Sequence, residues 1–197
     1  MISPQHIQTM PGWPYSQVDV RCLTHDGVII DVGCLEWDWA NFFLGKKRVI
    51  GIDPQEKPIK GAELYKGFLG PFDGTTHLYN FEDSGVASST QSKNNIYRND
   101  PISQETYNVI SWRTLCSKFN IDKVSVLKIN IEGAEYPLLH SMTVSDFEKI
   151  DQIAISFHDW LDSDQSALKH ASIELLKEVG FNVESIYPQW GWYLAKK

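Results

Sequence analysis

Val124-Ser125-Val126-Leu127-Lys128-Ile129-Asn130-Ile131-Glu132-Gly133-Ala134-Glu135 is the stretch on which the fold turns. Its first six residues form an apolar run too short for a helix and closed by Gly133, the signature of a core strand running into a turn. Period-two alternation puts Lys128, Asn130 and Glu132 on one side of that strand. Three polar groups in a core strand are costly to bury unless they are used, so the pattern predicts an active-site cluster. The bland alternative is a Lys128–Glu132 ion pair fastening strand to helix, with Glu135 a solvated first-turn acid.

Upstream, Val28 to Val32 is a second continuous apolar run, broken by Asp31 and followed by Gly33. A helical stretch from Trp37 to Leu44 leads to a third run, Arg48 to Ile52, which stops at Asp53-Pro54 and completes a βαβ unit. Leu64 to Leu69 reads as the next strand, and Thr75 to Asn80 as a partner strand after the Asp73-Gly74 turn. Residues 1–27, with Pro4, Pro11, Pro14, Gly12 and Gly27, read as an irregular lead-in packed through Trp13 and Tyr15. Residues 84–106 show no sustained apolar period and read as a long loop.

Downstream, helices are expected near Thr114 to Phe119 and Tyr136 to Ser141, and a strand from Ile150 to Phe157 ending in His158-Asp159-Trp160. Asp162 or Ser163 is positioned to cap a helix that stops at Gly180. Phe181 to Ile186 and Trp192 to Ala195 then form a final hairpin. Alternating strands and helices of this kind give an α/β fold, a doubly wound, mostly parallel sheet with an antiparallel strand contributed by the C-terminal hairpin.

The 197 residues suffice for one domain, here 28–197 after the lead-in. A net charge of −7, with basic residues grouped only at Lys46-Lys47-Arg48 and Lys196-Lys197, counts against nucleic acid and favours a small neutral or modestly polar partner. Cys22, Cys34 and Cys116 lack metal spacing and disulfide density, which suits a reducing cytoplasm. No signal peptide pattern and no apolar run of ~18 residues occurs, so neither secretion nor a membrane span is expected.

Ligands of open sheets bind beyond the C-terminal strand ends, where strand order reverses. That rule selects Asp31 to Trp37, Asp53 to Gln55, Leu69 to Phe72, Asn130 to Glu135 and His158 to Trp160, and within these ranges Asp31, Gly33, Cys34, Asp53, Pro54, Leu69, Gly70 and Asn130 are the candidate cofactor-binding positions. Gly33 allows a tight turn and close backbone approach, which favours a nucleoside cofactor. Asp53, at the end of its strand, is placed to accept both hydroxyls of an adenosine ribose, the alternative being a turn acid before Pro54. His158 is a candidate general base, with Asp159 to orient it. Trp37, Trp39, Trp112 and Trp160 are either pocket walls or core.

Together, Val28 to Gly33, Val49 to Asp53, Leu69 to Gly74 and especially Leu127 to Glu135 resemble the FkbM-type methyltransferase family over most of the chain from Val28 onward. The resemblance implies a Rossmann-like seven-stranded sheet and methyl transfer from S-adenosylmethionine, commonly to an oxygen of a sugar or secondary metabolite. It assigns Asp31 and Gly33 to the cofactor loop, Asp53 to the ribose site, and Lys128, Asn130, Glu132 and Glu135 to a polar cluster facing the acceptor. The family usually has aspartate where this chain has Asn130, and a small residue where it has Trp37. The first change removes a possible base or metal ligand; the second reshapes the cofactor loop.

On this reading Glu132 or His158 removes the acceptor proton and Lys128 stabilises the developing oxyanion. Metal dependence stays open, since Glu132, His158 and Asp159 carry suitable donor atoms without a fixed spacing. A cofactor-binding domain without turnover is the alternative that Trp37 and Asn130 suggest. An RNA 2′-O-methyltransferase is a third reading from Gly33-x-x-x-Trp37, opposed by the net acidity and the missing Lys-Asp-Lys-Glu pattern.

Overall fold

The computed structural model describes residues 6–10, 13–24, 26–80, 88–89, 103–159 and 165–197. In chain order its strands are β1 (Ile7–Met10), β2 (Trp13–Asp19), β3 (Val28–Val32), β4 (Val49–Ile52), β5 (Ala62–Tyr65), β6 (Phe68–Gly70), β7 (Gly74–Asn80), β8 (Ser88–Ser89), β9 (Ser103–Ser111), β10 (Val124–Ile129), β11 (Gln152–Ser156), β12 (Asn182–Tyr187) and β13 (Trp192–Lys196). Its α-helices are α1 (Asp38–Asn41), α2 (Trp112–Phe119), α3 (Glu135–Ser141), α4 (Val144–Glu148) and α5 (Gln165–Glu178).

Seven strands form the main sheet in the order β12-β13-β11-β10-β3-β4-β5. The five from β11 to β5 are parallel, and β13 runs antiparallel between β11 and β12. From β3 the chain moves outward through β4 and β5, then returns to β10 on the other side of β3. Strand order therefore reverses between β3 and β10, the position at which open sheets of this kind bind their ligands. A second sheet, ordered β6-β9-β7-β8, packs beside the first.

Alternation divides the core in two. Ile30, Val32, Ile50, Leu127, Ile129 and Ile153 face one side, where Leu115 of α2, Leu138 and Leu139 of α3 and Leu176 of α5 cover them. Ile29, Val49, Val126 and Ala154 face the other, under Trp37, Trp39 and Phe43 and the β1–β2 hairpin residues Met10 and Val18. Burying both faces explains why these strands read as continuous apolar runs.

Several expectations change. Among the described residues of the lead-in, expected to be irregular, β1 and β2 pair antiparallel, followed by a 3-10 turn over Val20–Thr24. The pair is fixed to the sheet by Gln152, whose side chain accepts from Asp19 N at 2.9 Å and donates to Asp19 O at 3.0 Å. The helix expected from Trp37 to Leu44 shrinks to the four residues of α1; its start is set by Glu36 and Trp37, which adopt left-handed φ values of 53° and 59°, and it ends at Asn41 in a run of turns. The strand expected over Leu64 to Leu69 splits into β5 and β6. Between them, a β-carbon on Gly67 would lie 2.6 Å from Asn108 O, and the chain crosses there to the second sheet.

The long loop read over 84–106 lies mostly outside the described residues, but its last part, from Ser103, belongs to β9. Asp162 and Ser163 also lie outside them. Helix α4 was not expected, although Thr143 and Asp146 carry its signal as a capping box, with Thr143 N donating to Asp146 Oδ2 at 2.9 Å.

Candidate functional site

Because β3, β4, β10 and β11 are parallel, the turns that follow them open on one edge of the sheet. Register places Lys128 directly beside Asp31. Lys128 Nζ lies 2.8 Å from Asp31 Oδ1, with side chains 1% and 0% exposed, and donates to the carbonyls of Val32, at 3.4 Å, and Gly33. Burial pushes the Asp31 carboxyl up and the Lys128 charge opposes that rise. Two expectations are thereby corrected. Lys128 is committed to the neighbouring strand, at Asp31 and the Val32 and Gly33 carbonyls, rather than reserved for an acceptor oxyanion, and the ion pair it makes there is with Asp31 rather than the expected Glu132.

Gly33 is required by its surroundings. Its φ is 75°, and a β-carbon there would stand 2.1 Å from the carbonyl oxygen of Asn130. Gly33 N donates to Ile52 O at 2.9 Å and Asn130 N to Val32 O at 3.1 Å, so the ends of β3, β4 and β10 are laced together at this point. Asn130 enters the site through this backbone contact.

The loop after β3 is bonded to the loop after β4. Glu36 N donates to Glu56 Oε2 at 2.7 Å and Trp37 Nε1 to Lys57 O at 2.8 Å. The Trp37 indole, 1% exposed, lies over Gly51, where a β-carbon would be 2.4 Å from the ring. Cys34 packs in the same layer with its thiol pushed up by burial, so only its backbone is available to a ligand.

Asp53 ends β4 half-buried. Its Oδ1 accepts from Gln55 N at 2.8 Å and Glu56 N at 3.0 Å, while Oδ2 accepts no hydrogen bond among the described residues. Burial pushes this carboxyl up, opposed by the two turn amides. It is thus a turn acid with one oxygen to spare. Pro54 beside it is buried. Leu69 and Gly70 fall in β6 of the second sheet, with Leu69 2% exposed in the core and Gly70 held against Val109. The Leu69 side chain is therefore packing, a correction to its reading as a cofactor contact.

Beyond β10 and β11, three side chains meet. Glu135, fully buried, accepts from Ile131 N at 3.1 Å, Gly133 N at 2.9 Å and His158 Nδ1 at 2.5 Å. On the other side of the ring, His158 Nε2 lies 3.3 Å from Glu132 Oε1. Burial pulls the His158 pKa down, but the Glu135 charge and hydrogen bonds to both glutamates outweigh it and push it up to about 10. His158 is an imidazolium at neutral pH with both N–H groups facing carboxylates, which corrects its reading as a general base. Glu132, 21% exposed where Glu135 and His158 are 0% and 4%, is the member solvent reaches.

Asp159 pairs with Lys169 rather than orienting His158. Trp37, Trp39 and Trp112 are core, at most 3% exposed, and Trp160 lies outside the described residues. Among the described residues no group of three or more His, Cys, Asp or Glu side chains is arranged to hold a metal ion. Glu135, which the resemblance puts in a polar cluster facing the acceptor and the bland reading puts in solvent, is instead a buried hub, and that is what sequence reasoning missed. Its signal was an acid set between Ala134 and Tyr136 at the start of an apolar helix.

A mostly parallel seven-stranded sheet, with buried charge gathered where its order reverses, defines an α/β protein with a candidate ligand site at that edge. The family model described as the methyltransferase FkbM domain matches residues 22–183, and the chain belongs to that family. Among solved structures it is similar to methyltransferase FkbM from Methylobacillus flagellatus KT, with a TM-score of 0.52 at 13% identity. That match covers 87% of this chain and 44% of the other, so the chain spans less than half the length of this neighbour. None of the curated proteins matches.

Proposed function

We propose that this protein is an S-adenosylmethionine-dependent methyltransferase that methylates a hydroxyl of a small molecule or saccharide, built on a Rossmann-like sheet. The observation that carries the reading is Asp53, a half-buried carboxylate at the end of β4 with one oxygen uncommitted among the described residues, next to a glycine turn at the reversal of strand order. Membership of the FkbM family supports it.

The residues present fit the cofactor. Asp53 Oδ2 would take the ribose hydroxyls, and the backbone from Gly33 to Cys34 would border the rest of the nucleoside. When bound, S-adenosylmethionine supplies a methyl group on a positively charged sulfur. The chain's own part is to align the acceptor oxygen and receive its proton. Glu132 is the group for the second task, being anchored by His158 yet reached by solvent. Lys128 acts earlier, fixing Asp31 and the Gly33 carbonyl so that the cofactor loop is preformed.

Three buried free thiols support a reducing, cytoplasmic setting. No helix among the described residues is long and apolar enough to cross a membrane.

A second reading, a domain that binds the cofactor without turnover, is favoured by Trp37, whose indole fills the layer beneath the cofactor loop. A crystal structure with S-adenosylhomocysteine tests the binding that both readings require. The ribose is expected at Asp53; a ligand seated away from Asp53 and Gly33 would overturn the assignment. Transfer of labelled methyl groups to any hydroxyl acceptor then separates enzyme from binding domain.

A further inference from the structure

Glu132 has a backbone φ of 51°, a left-handed conformation that a residue with a side chain adopts only when its surroundings impose it. The amides on either side of it, Ile131 N and Gly133 N, both donate to Glu135, one to each carboxylate oxygen. The Glu132 side chain is held in turn by His158 Nε2, and the opposite nitrogen of that ring is held by Glu135 Oε1. One buried carboxylate thus grips Glu132 twice, through its flanking backbone and through the imidazole on its side chain.

We infer that Glu135 is the positioning residue of this site, setting the backbone and carboxylate of Glu132 in the geometry from which it receives the acceptor proton. The inference rests on the methyltransferase reading for what Glu132 does, but the clamp itself does not. A fully buried carboxylate is expensive unless its partners compensate it, and here every one of the three bonds it makes bears on Glu132. A merely structural acid would need no strained neighbour. The His158 charge follows from the same arrangement: Glu135 and Glu132 are the groups that hold it. Tyr136, next along α3, stacks on Phe157, and Asp159 is paired with Lys169.

Glu135→Gln keeps the shape and removes the charge. In 15N-histidine spectra of the ligand-free protein, wild-type His158 is expected to stay protonated on both nitrogens up to about pH 8.5, and the variant to titrate at least about one pH unit lower. Its kcat is expected to fall about 100-fold, with S-adenosylhomocysteine affinity within about threefold of wild type. Glu132→Gln is expected to lose kcat similarly while His158 stays charged at neutral pH through Glu135.

Wild-type kcat in Glu135→Gln, or a parallel loss of turnover and cofactor affinity, would overturn the inference. If Glu135→Gln does not fold, His158→Asn tests the same link from its other end, with kcat expected about 10-fold to 100-fold lower and affinity unchanged. Unaltered turnover there counts equally against it. If the wild type binds no S-adenosylhomocysteine and methylates nothing, the functional reading fails. The clamp is still judged by the spectra, where a neutral wild-type His158 at pH 7 refutes it.

Discussion

Lys128 Nζ lies 2.8 Å from Asp31 Oδ1 across the β3–β10 pair, and neither side chain is more than 1% exposed. Two charges in such a place are tolerable only together, because each alone leaves an uncompensated ion out of reach of water. Lys128→Met is expected to destabilise the protein by about 3–5 kcal/mol in urea unfolding, and adding Asp31→Leu to recover most of that loss. A single variant unfolding at the wild-type urea concentration would mean that the pair does not hold the strands.

The glycine after β3 offers an internally controlled comparison. Gly33 and Gly45 have similar φ values, 75° and 73°, yet a β-carbon meets Asn130 O at 2.1 Å in the first case and nothing within 4 Å in the second. Gly45→Ala is expected to cost about 1 kcal/mol, the conformational penalty alone. Gly33→Ala adds a backbone collision at the junction of three strands and is expected to cost several times as much or to prevent folding. Equal melting temperatures for the two variants would remove the close approach from the account.

Trp37 and Gly51 form a complementary pair of another kind, ring against bare backbone. Gly51→Ala is expected to destabilise by about 1–3 kcal/mol through overpacking, and Trp37→Leu by loss of the Lys57 bond and of packing. In a double-mutant cycle the combined variant should be less damaged than the sum, since the smaller side chain makes room for the methyl. Strict additivity would argue that the two do not touch.

Stability should fall at both ends of the pH range for different reasons. His158 rises from 6.5 to about 10 on folding, so its contribution is complete below 6.5 and is lost as pH climbs through about 10. Asp19 moves from 3.8 to about 2: burial raises it, but the Arg21 bonds and charge and the Lys196 charge prevail. Its contribution is present above 3.8 and disappears as pH drops towards about 2. Urea midpoints measured against pH should therefore show an alkaline limb that His158→Asn flattens and an acid limb that Asp19→Asn flattens. Substitutions that leave both limbs unchanged would contradict these assignments.

What the sequence made legible was carried by neighbours along the chain. The strand Val124–Ile129 appears with the expected bounds, and the helix ending at Gly180 and the closing hairpin appear where period and punctuation put them. What it hid were relationships between distant residues. Lys128 and Asp31 are 97 positions apart, and their meeting depends on a β3–β10 register that shifts between Val124 and Val126. His158 looked like a base because isolated imidazole titrates near neutrality; the two carboxylates that hold its proton come from another turn and helix. The β1–β2 hairpin is tied down by Gln152, 133 residues beyond Asp19, so its prolines and glycine read as disorder of pattern rather than as a strand pair.

The most direct test of the central claim is calorimetric titration of the wild type and Asp53→Asn with S-adenosylhomocysteine. Saturable one-to-one binding is expected in the wild type, and affinity at least about tenfold weaker in the variant, the scale of losing charge-assisted hydrogen bonds. No binding by the wild type, or equal affinity in the two proteins, would contradict the account.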